Sequence, residues 1–507
     1  MRCSPLPFVH DELLKRIIDL LRSQPMPCYI AGGYVREWLL GQPGKDVDIV
    51  VAGAAIPLAR RIANRTGGAF YVLDEETEAA RIVYRTPSEL TVDLAAMRGA
   101  DIIADLQMRD FTINAMAVDV RECNAEQPHI FDPCGGQADL ATRILRATSE
   151  QAFQQDAVRL LRALRFAATL GLRIEPQTES WLRRDAPLIV RPSAERIRQE
   201  LALIMAASDA AQHLRRMEEL GLMQGILPEV IALKGVTQSE PHIHEVYEHT
   251  LVTVAEAERL SAWPGAHLEA DEQEFLSPFA AELEAHFAPV ICEGRTRATL
   301  FKFAALFHDL GKPETRTVEL GGRIRTLGHE DVGAEMAKEV LTRLKFSVQE
   351  IRLVHTIVKH HMRPSWLLKQ PSITRKAIYH FFRDTGDAGV DVLILALADQ
   401  LATRGEALRT SQKEHWLRYL QLVNLMLQHY FHHPCEVVSP PPLVTGDDVM
   451  SLLGLPPGPE VGRLLEEVRL AQAEGLVRTR EEAVEMLQSV AARMANDQMT
   501  NDRVMRS

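Results

Sequence analysis

The 507-residue chain is poor in cysteine: it has six, Cys3, Cys28, Cys123, Cys134, Cys292 and Cys435, and no two form a C-x-x-C pair. That spacing argues against both a zinc ribbon and a disulfide framework, and implies reduced thiols. No apolar run approaches the roughly 20 residues needed to cross a bilayer, so no membrane partner is expected. The opening stretch MRCSPLPFVHDELLKRII has no secretory apolar core and passes into an amphipathic helix, which points to a cytoplasmic protein. Basic excess is also missing, since 57 Lys and Arg stand against 69 Asp and Glu for a net charge of −12. The whole chain therefore does not advertise nucleic-acid binding. A local basic groove remains open, because phosphate contacts depend on the residues in the groove and not on the sum. Residues 143–198 are rich in arginine, and acidic excess is concentrated in 267–284.

What is present is globular material: 46% hydrophobic and 25% charged residues, in a chain long enough for several domains. The most informative stretch is AGGYVREWLLGQPGKDVDIVV. Cys28–Ala31 reads as a short strand ending at Gly32 and Gly33, residues that let backbone approach a ligand closely. A helix over Tyr34–Leu40 would offer its N-terminal end and Arg36 to a phosphate, and Gly41, Pro43 and Gly44 would stop it. Lys45–Val51 reads as a strand whose period of two puts Asp46 and Asp48 on one face, where they can share hard cations such as Mg²⁺. Alone, a glycine pair before a helix is usually just a turn, and a DxD on a strand is usually a solvated edge. Together they suggest nucleotidyl transfer, with anchored phosphates beside paired metals.

A leading helix is expected over 1–24 and another over 54–66, followed by strands at 69–73, 80–85 and 91–95. In the last strand Asp93 alternates outward as a candidate third carboxylate. The segment 74–80 is polar and reads as a loop or a charged hairpin. In DLQMRDFTINAMAVD, Arg109 and Asp110 precede an apolar stretch expected to be helical, and Thr112 and Asn114 can hold sugar and triphosphate or cap a helix. Gly135–Gly136 reads as a flexible joint, with Asp139 capping the helix after it. In QDAVRLLRALRFAATL, Asp156 and Arg159 are three apart, so on a helix they share a face. A carboxylate there accepts the exocyclic amino hydrogens of cytosine or adenine while guanidinium donates to their ring acceptors. The other reading is a surface salt bridge. Arg162 and Arg165 continue the helix toward triphosphate or RNA backbone. The second half changes character. His249, His308–Asp309 and Asp399 fall on separate expected helices and can enclose a divalent ion, with Mn²⁺, Ni²⁺ or Zn²⁺ suiting the mixed donors. His329, His360 and His361 can complete a second position or face a phosphate.

These motifs resemble those of the DNA polymerase beta superfamily, in particular the class II tRNA nucleotidyltransferase (CCA-adding) and bacterial poly(A) polymerase family. The carrying residues are the GG and DxD pairs, a run similar to RRDFTINA with Met108 for the first arginine, a DPxGGxxDL hinge, and an EDxxR-like motif with Gln155 for glutamate. RIRQEL at 196–201 is similar to the last neck motif, which implies structural support. In that family the place of 74–80 holds a flexible loop that helps switch between bases. The H…HD…D order resembles the HD-domain metal phosphohydrolases.

The resemblance implies an α+β protein: a small mixed-sheet nucleotidyltransferase head (1–145), a helical neck for nucleotide selection and RNA binding (146–235), an HD domain (236–435) and a helical tail (436–507). It implies template-independent addition of CMP and AMP from CTP and ATP to the 3′ end of tRNA, with Mg²⁺. Asp46, Asp48 and Asp93 would be catalytic, Gly32, Gly33, Arg36, Arg109, Asp110 and Asn114 would bind nucleotide, and Asp156 and Arg159 would select the base with Arg162 and Arg165 beside them. The HD part would add phosphohydrolase action on RNA ends. The rivals are a poly(A) polymerase, an enzyme adding only CC or only A, and an HD phosphohydrolase whose head merely binds RNA. No feature of the sequence sets an oligomeric state.

Overall fold

The computed structural model describes residues 12–42, 44–85, 89–123, 125, 127–263 and 267–490. The final stretch MANDQMTNDRVMRS, expected to be disordered, and the first residues of the leading helix lie outside that range. The chain forms two compact units: residues up to 207 together with 216–226, and residues 208–215 together with those from 227 onward.

The first unit is built on one mixed seven-stranded sheet. Its strands are β1 (Cys28–Ala31), β2 (Asp46–Val51), β3 (Ala69–Asp74), β4 (Ala79–Tyr84), β5 (Leu90–Ala96), β6 (Ala117–Asp119) and β7 (Ile130–Phe131). They lie in the order β3-β4-β5-β2-β1-β6-β7. β2 and β5 run parallel and the other neighbours antiparallel. Alternation along β2 and β5 buries Val47, Ile49, Val92 and Leu94. These join a core with Ile17, Ile18 and Leu21 of α1 (Glu12–Arg22) and Leu58 and Ile62 of α3 (Ala55–Thr66). The same alternation leaves Asp46, Asp48 and Asp93 on the opposite face. Between β1 and β2 runs the short helix α2 (Gly33–Leu39), and between β5 and β6 the short helix α4 (Ile102–Gln107).

Several local expectations change. Residues 112–114 form a single 3₁₀ turn and the chain then enters β6, not a helix. Ile30 and Ala31 of β1 pair with Val118 and Ala117, so a neighbouring strand supplies the hydrogen bonds that a helix would have made internally. The polar segment after β3 is an ordered hairpin turn. Asp74 Oδ1 accepts from the backbone N–H of Glu76 at 2.8 Å, and Glu78 Oε2 accepts from the N–H of Ile56 at 3.1 Å, tying the turn to the start of α3. Asp139 does not cap α5 (Gly136–Ala141). Asp132 does so, accepting from the N–H groups of Gly136 and Gln137 at 2.6 and 3.0 Å, while Asp139 lies buried inside the helix and accepts from Thr112 and Arg146. Gly136 is there for close packing and not as a loose joint, because a Cβ on it would sit 2.1 Å from the carbonyl oxygen of Thr112.

The helix expected across 155–170 is broken. α6 (Ala152–Gln155) ends at Asp156, which is extended (φ −152°, ψ 102°), and α7 starts afresh as Arg159–Leu170. Asp156 therefore does not share a helix face with Arg159. Its carboxylate takes the N–H of Val158 at 3.3 Å and Arg196 Nη2 at 2.6 Å, local bonds that compete with helical geometry. After α7 come α8 (Pro176–Asp185) and α9 (Ala194–Ala206), which contributes Arg196 and Glu200.

The second unit is helical apart from two small two-stranded ribbons at 290–296 and 317–325. Helices Val246–Ser261, Arg297–Phe307, His329–Arg343, Val348–His360 and Gly389–Arg404 make its centre. Charge is buried within it: Arg295 forks onto Glu350, with Nε and Nη2 donating to its two oxygens, and Glu350 is 0% exposed. The C-terminal helices Gly446–Leu453 and Pro459–Glu474 carry an apolar cluster that includes Val449 and Leu464, joined by Leu487 from the segment after them. Among the described residues no helix is long and apolar enough to cross a membrane.

Candidate functional site

On the polar face of the sheet lies a cleft of 440 Å³. Asp46, Asp48 and Asp93 line it from β2 and β5, and Gly32, Gly33 and Arg36 from the turn into α2. Arg109, Asp110 and Asn114 enter from the loop before β6, and Arg162 and Arg165 from α7. Asp48 and Asp93 stand level across the parallel pair. Gly32 has φ 74° and ψ −134°, and a Cβ there would lie 2.8 Å from both Asp48 Oδ2 and Arg109 Nη1. Burial pushes the Asp48 carboxyl above its ordinary value; Arg109 opposes the shift and Asp93 reinforces it. Such a carboxylate gains strongly from a further cation.

The polar groups behind the cleft are held by one another. Asp110 accepts from Asn114 Nδ2 at 3.0 Å, from the N–H of Phe111 at 2.8 Å, and from Arg162 Nε at 2.9 Å. Burial alone would raise its carboxyl, but Arg162, Asn114 and the Phe111 N–H outweigh it and hold it below the usual range. Arg36 is buried, donates to Asn114 Oδ1 and to Glu37 Oε1, and lies over the Phe166 ring. It is thus a partnered wall of the cleft and not a free charge. Arg165 is similarly paired, with Nε 2.6 Å from Glu200 Oε2.

Asp156 and Arg159 line a second, 190 Å³ pocket together with Arg98, Arg109, Asp110 and Arg162. Three of these residues, Arg109, Asp110 and Arg162, also line the larger cleft, so the two spaces share a wall. Arg159 is fixed by donating from Nη1 to the carbonyl of Ala152 and from Nη2 to that of Met108, each at 3.1 Å. The pair thus meets at one pocket although the helix expected to unite it is absent. RIRQEL supports both spaces, through Arg196 on Asp156 and Glu200 on Arg165.

Sequence reasoning missed Arg98, Arg81, Thr91, Glu37 and Phe166 at these pockets. Arg98 is positioned by buried Asp105, which also takes Arg109 Nε at 3.2 Å. An R-x-x-R-like search would not have found it, since the connection is the shared carboxylate.

In the second unit, His249, His308, Asp309 and Asp399 converge. His249 Nε2 lies 3.3 Å from His308 Nε2, 3.4 Å from Asp309 Oδ2 and 3.2 Å from Asp399 Oδ1. Asp309 Oδ1 is 3.4 Å from His329 Nε2, and His329 Nε2 is 3.2 Å from His361 Nε2. Two groups able to hold an ion therefore share Asp309. His360 does not join them; it stands beside Arg363 and Asp384. Asp309 Oδ2 is buried without a well-directed hydrogen bond, although Lys312 Nζ is 2.6 Å away. Burial would raise the Asp309 carboxyl, but His308 and Lys312 hold it well below the ordinary range, while burial pushes His361 down to about 3. The cluster opens on a 630 Å³ cavity whose lining includes Arg323, Lys369, Arg404 and Arg418, a cationic surround suited to phosphate. Lys312, three residues after Asp309, was the available sequence signal for that surround.

Comparison with known proteins agrees with this division. The Poly A polymerase head domain model matches residues 28–146, and the HD domain model matches 246–404. The chain is 33% identical over 473 residues to an A-adding tRNA nucleotidyltransferase of Deinococcus radiodurans, covering 91% of this chain and 96% of the relative. It is 34% identical over 465 residues to a CC-adding tRNA nucleotidyltransferase of Thermus thermophilus, covering 90% and 92%. The solved Thermotoga maritima CCA-adding enzyme complexed with tRNA aligns over 96% of this chain and 97% of that one, with a TM-score of 0.59 and 20% identity, a likeness of fold.

Proposed function

Since the chain belongs to the tRNA nucleotidyltransferase family, we propose that it adds CMP and AMP from CTP and ATP to tRNA 3′ ends without a nucleic-acid template, in the cytoplasm. The carrying observation is the shared wall: a cleft with three carboxylates in reach of a triphosphate opens beside a pocket with an Asp–Arg pair. The all-oxygen donor set of Asp46, Asp48 and Asp93, and the raised Asp48 carboxyl, fit Mg²⁺. Bound Mg²⁺ would activate the tRNA 3′-hydroxyl and neutralise charge on the departing pyrophosphate. Gly32 and Gly33 let the triphosphate approach the backbone, and Arg109 and Arg162 face its phosphates. Asp156 accepts from the amino group shared by cytosine and adenine, and Arg159 donates to their ring acceptors, a polarity that uracil and guanine mismatch.

The second unit hydrolyses phosphoesters on RNA ends. His249, His308, Asp309, Asp399, His329 and His361 suit a borderline divalent ion such as Mn²⁺, Ni²⁺ or Zn²⁺, and the two ligand groups that share buried Asp309 support that fit. A metal there would supply an activated water.

A second reading, addition of CC only, is favoured by one feature. The turn after β3 has only residues 75–78 between strands and is tied by Asp74 and Glu78, leaving little freedom to switch between bases. The test is sequencing of products from tRNA lacking CCA, and from tRNA ending in CC, with CTP, ATP and Mg²⁺. Completed CCA supports the first reading; arrest at CC supports the second. A-only extension of unrelated RNA would defeat both.

A further inference from the structure

Arg81 is the residue from which the next step follows. On β4 it pairs directly opposite Asp93 of β5, and Asp93 is level with Asp48 of β2, so three charged side chains stand in one row on the cleft face. Arg81 Nε and Nη2 each donate to a different oxygen of Asp93, both at 2.8 Å. One guanidinium fork thereby takes a lone pair on each carboxylate oxygen. A divalent cation on the same oxygens would stand beside the guanidinium charge, so fork and cation oppose one another at Asp93.

A second observation agrees. Among the described residues, groups of three or more possible ligands with their atoms all within 4.8 Å of one another occur in the His–Asp cluster of the second unit, and Asp46, Asp48 and Asp93 do not form one. The head carboxylates are therefore not drawn together as they stand. The fork is also open to solvent: the side chains are 44% and 29% exposed, so water and salt screen the pair and it can be exchanged for a more highly charged partner. The freed guanidinium remains in the cleft, where it can meet the incoming phosphates.

Resting on the reading of this cleft as the transfer centre, we propose that Arg81 is a positioning residue that acts as a tethered counter-ion. It withholds Asp93 from free divalent cation and yields it when a metal-bound triphosphate arrives, the guanidinium then moving onto the phosphates. The centre is thus loaded by the metal–nucleotide complex and not by metal alone.

The test is Mn²⁺ binding followed by electron paramagnetic resonance on the full chain, in an Asp309→Ala background that removes the second unit's shared ligand. Four proteins are compared: this background, and Arg81→Gln, Asp93→Asn and the double variant built on it. Without nucleotide, Arg81→Gln should bind Mn²⁺ about 2- to 5-fold more tightly, the range expected for removing a half-exposed ionic competitor. The gain should vanish when Asp93 is Asn. With Mn²⁺ and CTP together, Arg81→Gln should bind CTP more weakly. Unchanged or weaker Mn²⁺ binding in Arg81→Gln, or the same gain without Asp93, overturns the role of Arg81 while leaving the cleft's assignment in place. If no protein of the four binds Mn²⁺ even with CTP, the assignment itself fails and the role with it. Should the Asp309→Ala background not fold, the same comparison in the unaltered chain reads the Arg81-dependent difference, since the second unit's binding is common to all.

Discussion

Replacing Gly32 by alanine tests whether the glycine pair is required by the cleft or is merely a turn. At φ 74° and ψ −134°, alanine is strained by about 1–3 kcal/mol. Its methyl would stand 2.8 Å from Asp48 Oδ2 and Arg109 Nη1, closer than real side chains approach, so these groups must shift. The strain is read by hydrogen exchange of the peptide spanning 28–40, where 1–3 kcal/mol corresponds to about 5- to 150-fold faster exchange. Displacement of a carboxylate at a reacting centre costs up to about 100-fold in rate, read as single-turnover CMP addition to tRNA lacking CCA. Gly33→Ala is the control. Gly33 is not among the glycines with positive φ, and its added methyl would make only an ordinary 3.5 Å contact with Arg36 Nη2, so exchange should stay close to that of the unaltered chain. The reasoning is refuted if Gly32→Ala exchanges and transfers like the unaltered protein, or if the two variants are indistinguishable.

Asp156→Ala should admit UTP about 5- to 150-fold better relative to CTP in competitive incorporation, because losing a paired acceptor removes roughly 1–3 kcal/mol of discrimination; unchanged selectivity would remove Asp156 from base choice. Asp309→Ala should abolish metal retention in the second unit, measured by elemental analysis after gel filtration, and with it phosphatase action, while CMP addition persists. Loss of addition with the fold intact would instead favour a protein whose chemistry lies in the HD half. Glu350→Gln takes from Arg295 its buried counter-charge and leaves it the exposed Glu293, 3.1 Å from Nη1, which costs up to about 3 kcal/mol and lowers the thermal midpoint at neutral pH. Burial would raise the Glu350 carboxyl, but Arg295 and Ser347 hold it below its ordinary 4.5, so its contribution is complete above that value and lost as pH falls through the depressed one. The unaltered protein should therefore lose stability in acid more steeply than Glu350→Gln, and parallel slopes would contradict this.

The elements legible in the sequence were those written in local periodicity. Alternation along β2 set Asp46 and Asp48 apart from Val47 and Ile49, and the Gly32–Gly33 break marked the entry to α2. Two expectations failed because a neighbour supplied what local pattern does not show. Asp156 left the helix for Arg196, forty residues on, and Ala117–Asp119 became a strand because β1 offered it partners. Arg81 and Arg98 were invisible for the same reason: strand register brings one to Asp93, and a buried carboxylate holds the other. The histidines show the limit of adjacency, since His361 reaches His329 whereas its neighbour His360 joins neither ligand group.

The parallel pairing of β2 with β5 also orders events on the ribosome. Asp46 and Asp48 emerge early, but their partner strand follows only after residues 52–89 have been made, and β1 gains its outer neighbour β6 later still, at 117–119. A nascent chain halted before residue 90 holds Asp46 and Asp48 without Asp93 and without the strand that pairs parallel to β2. Translation must pass residue 119 before the strands that flank the acidic row are all in place.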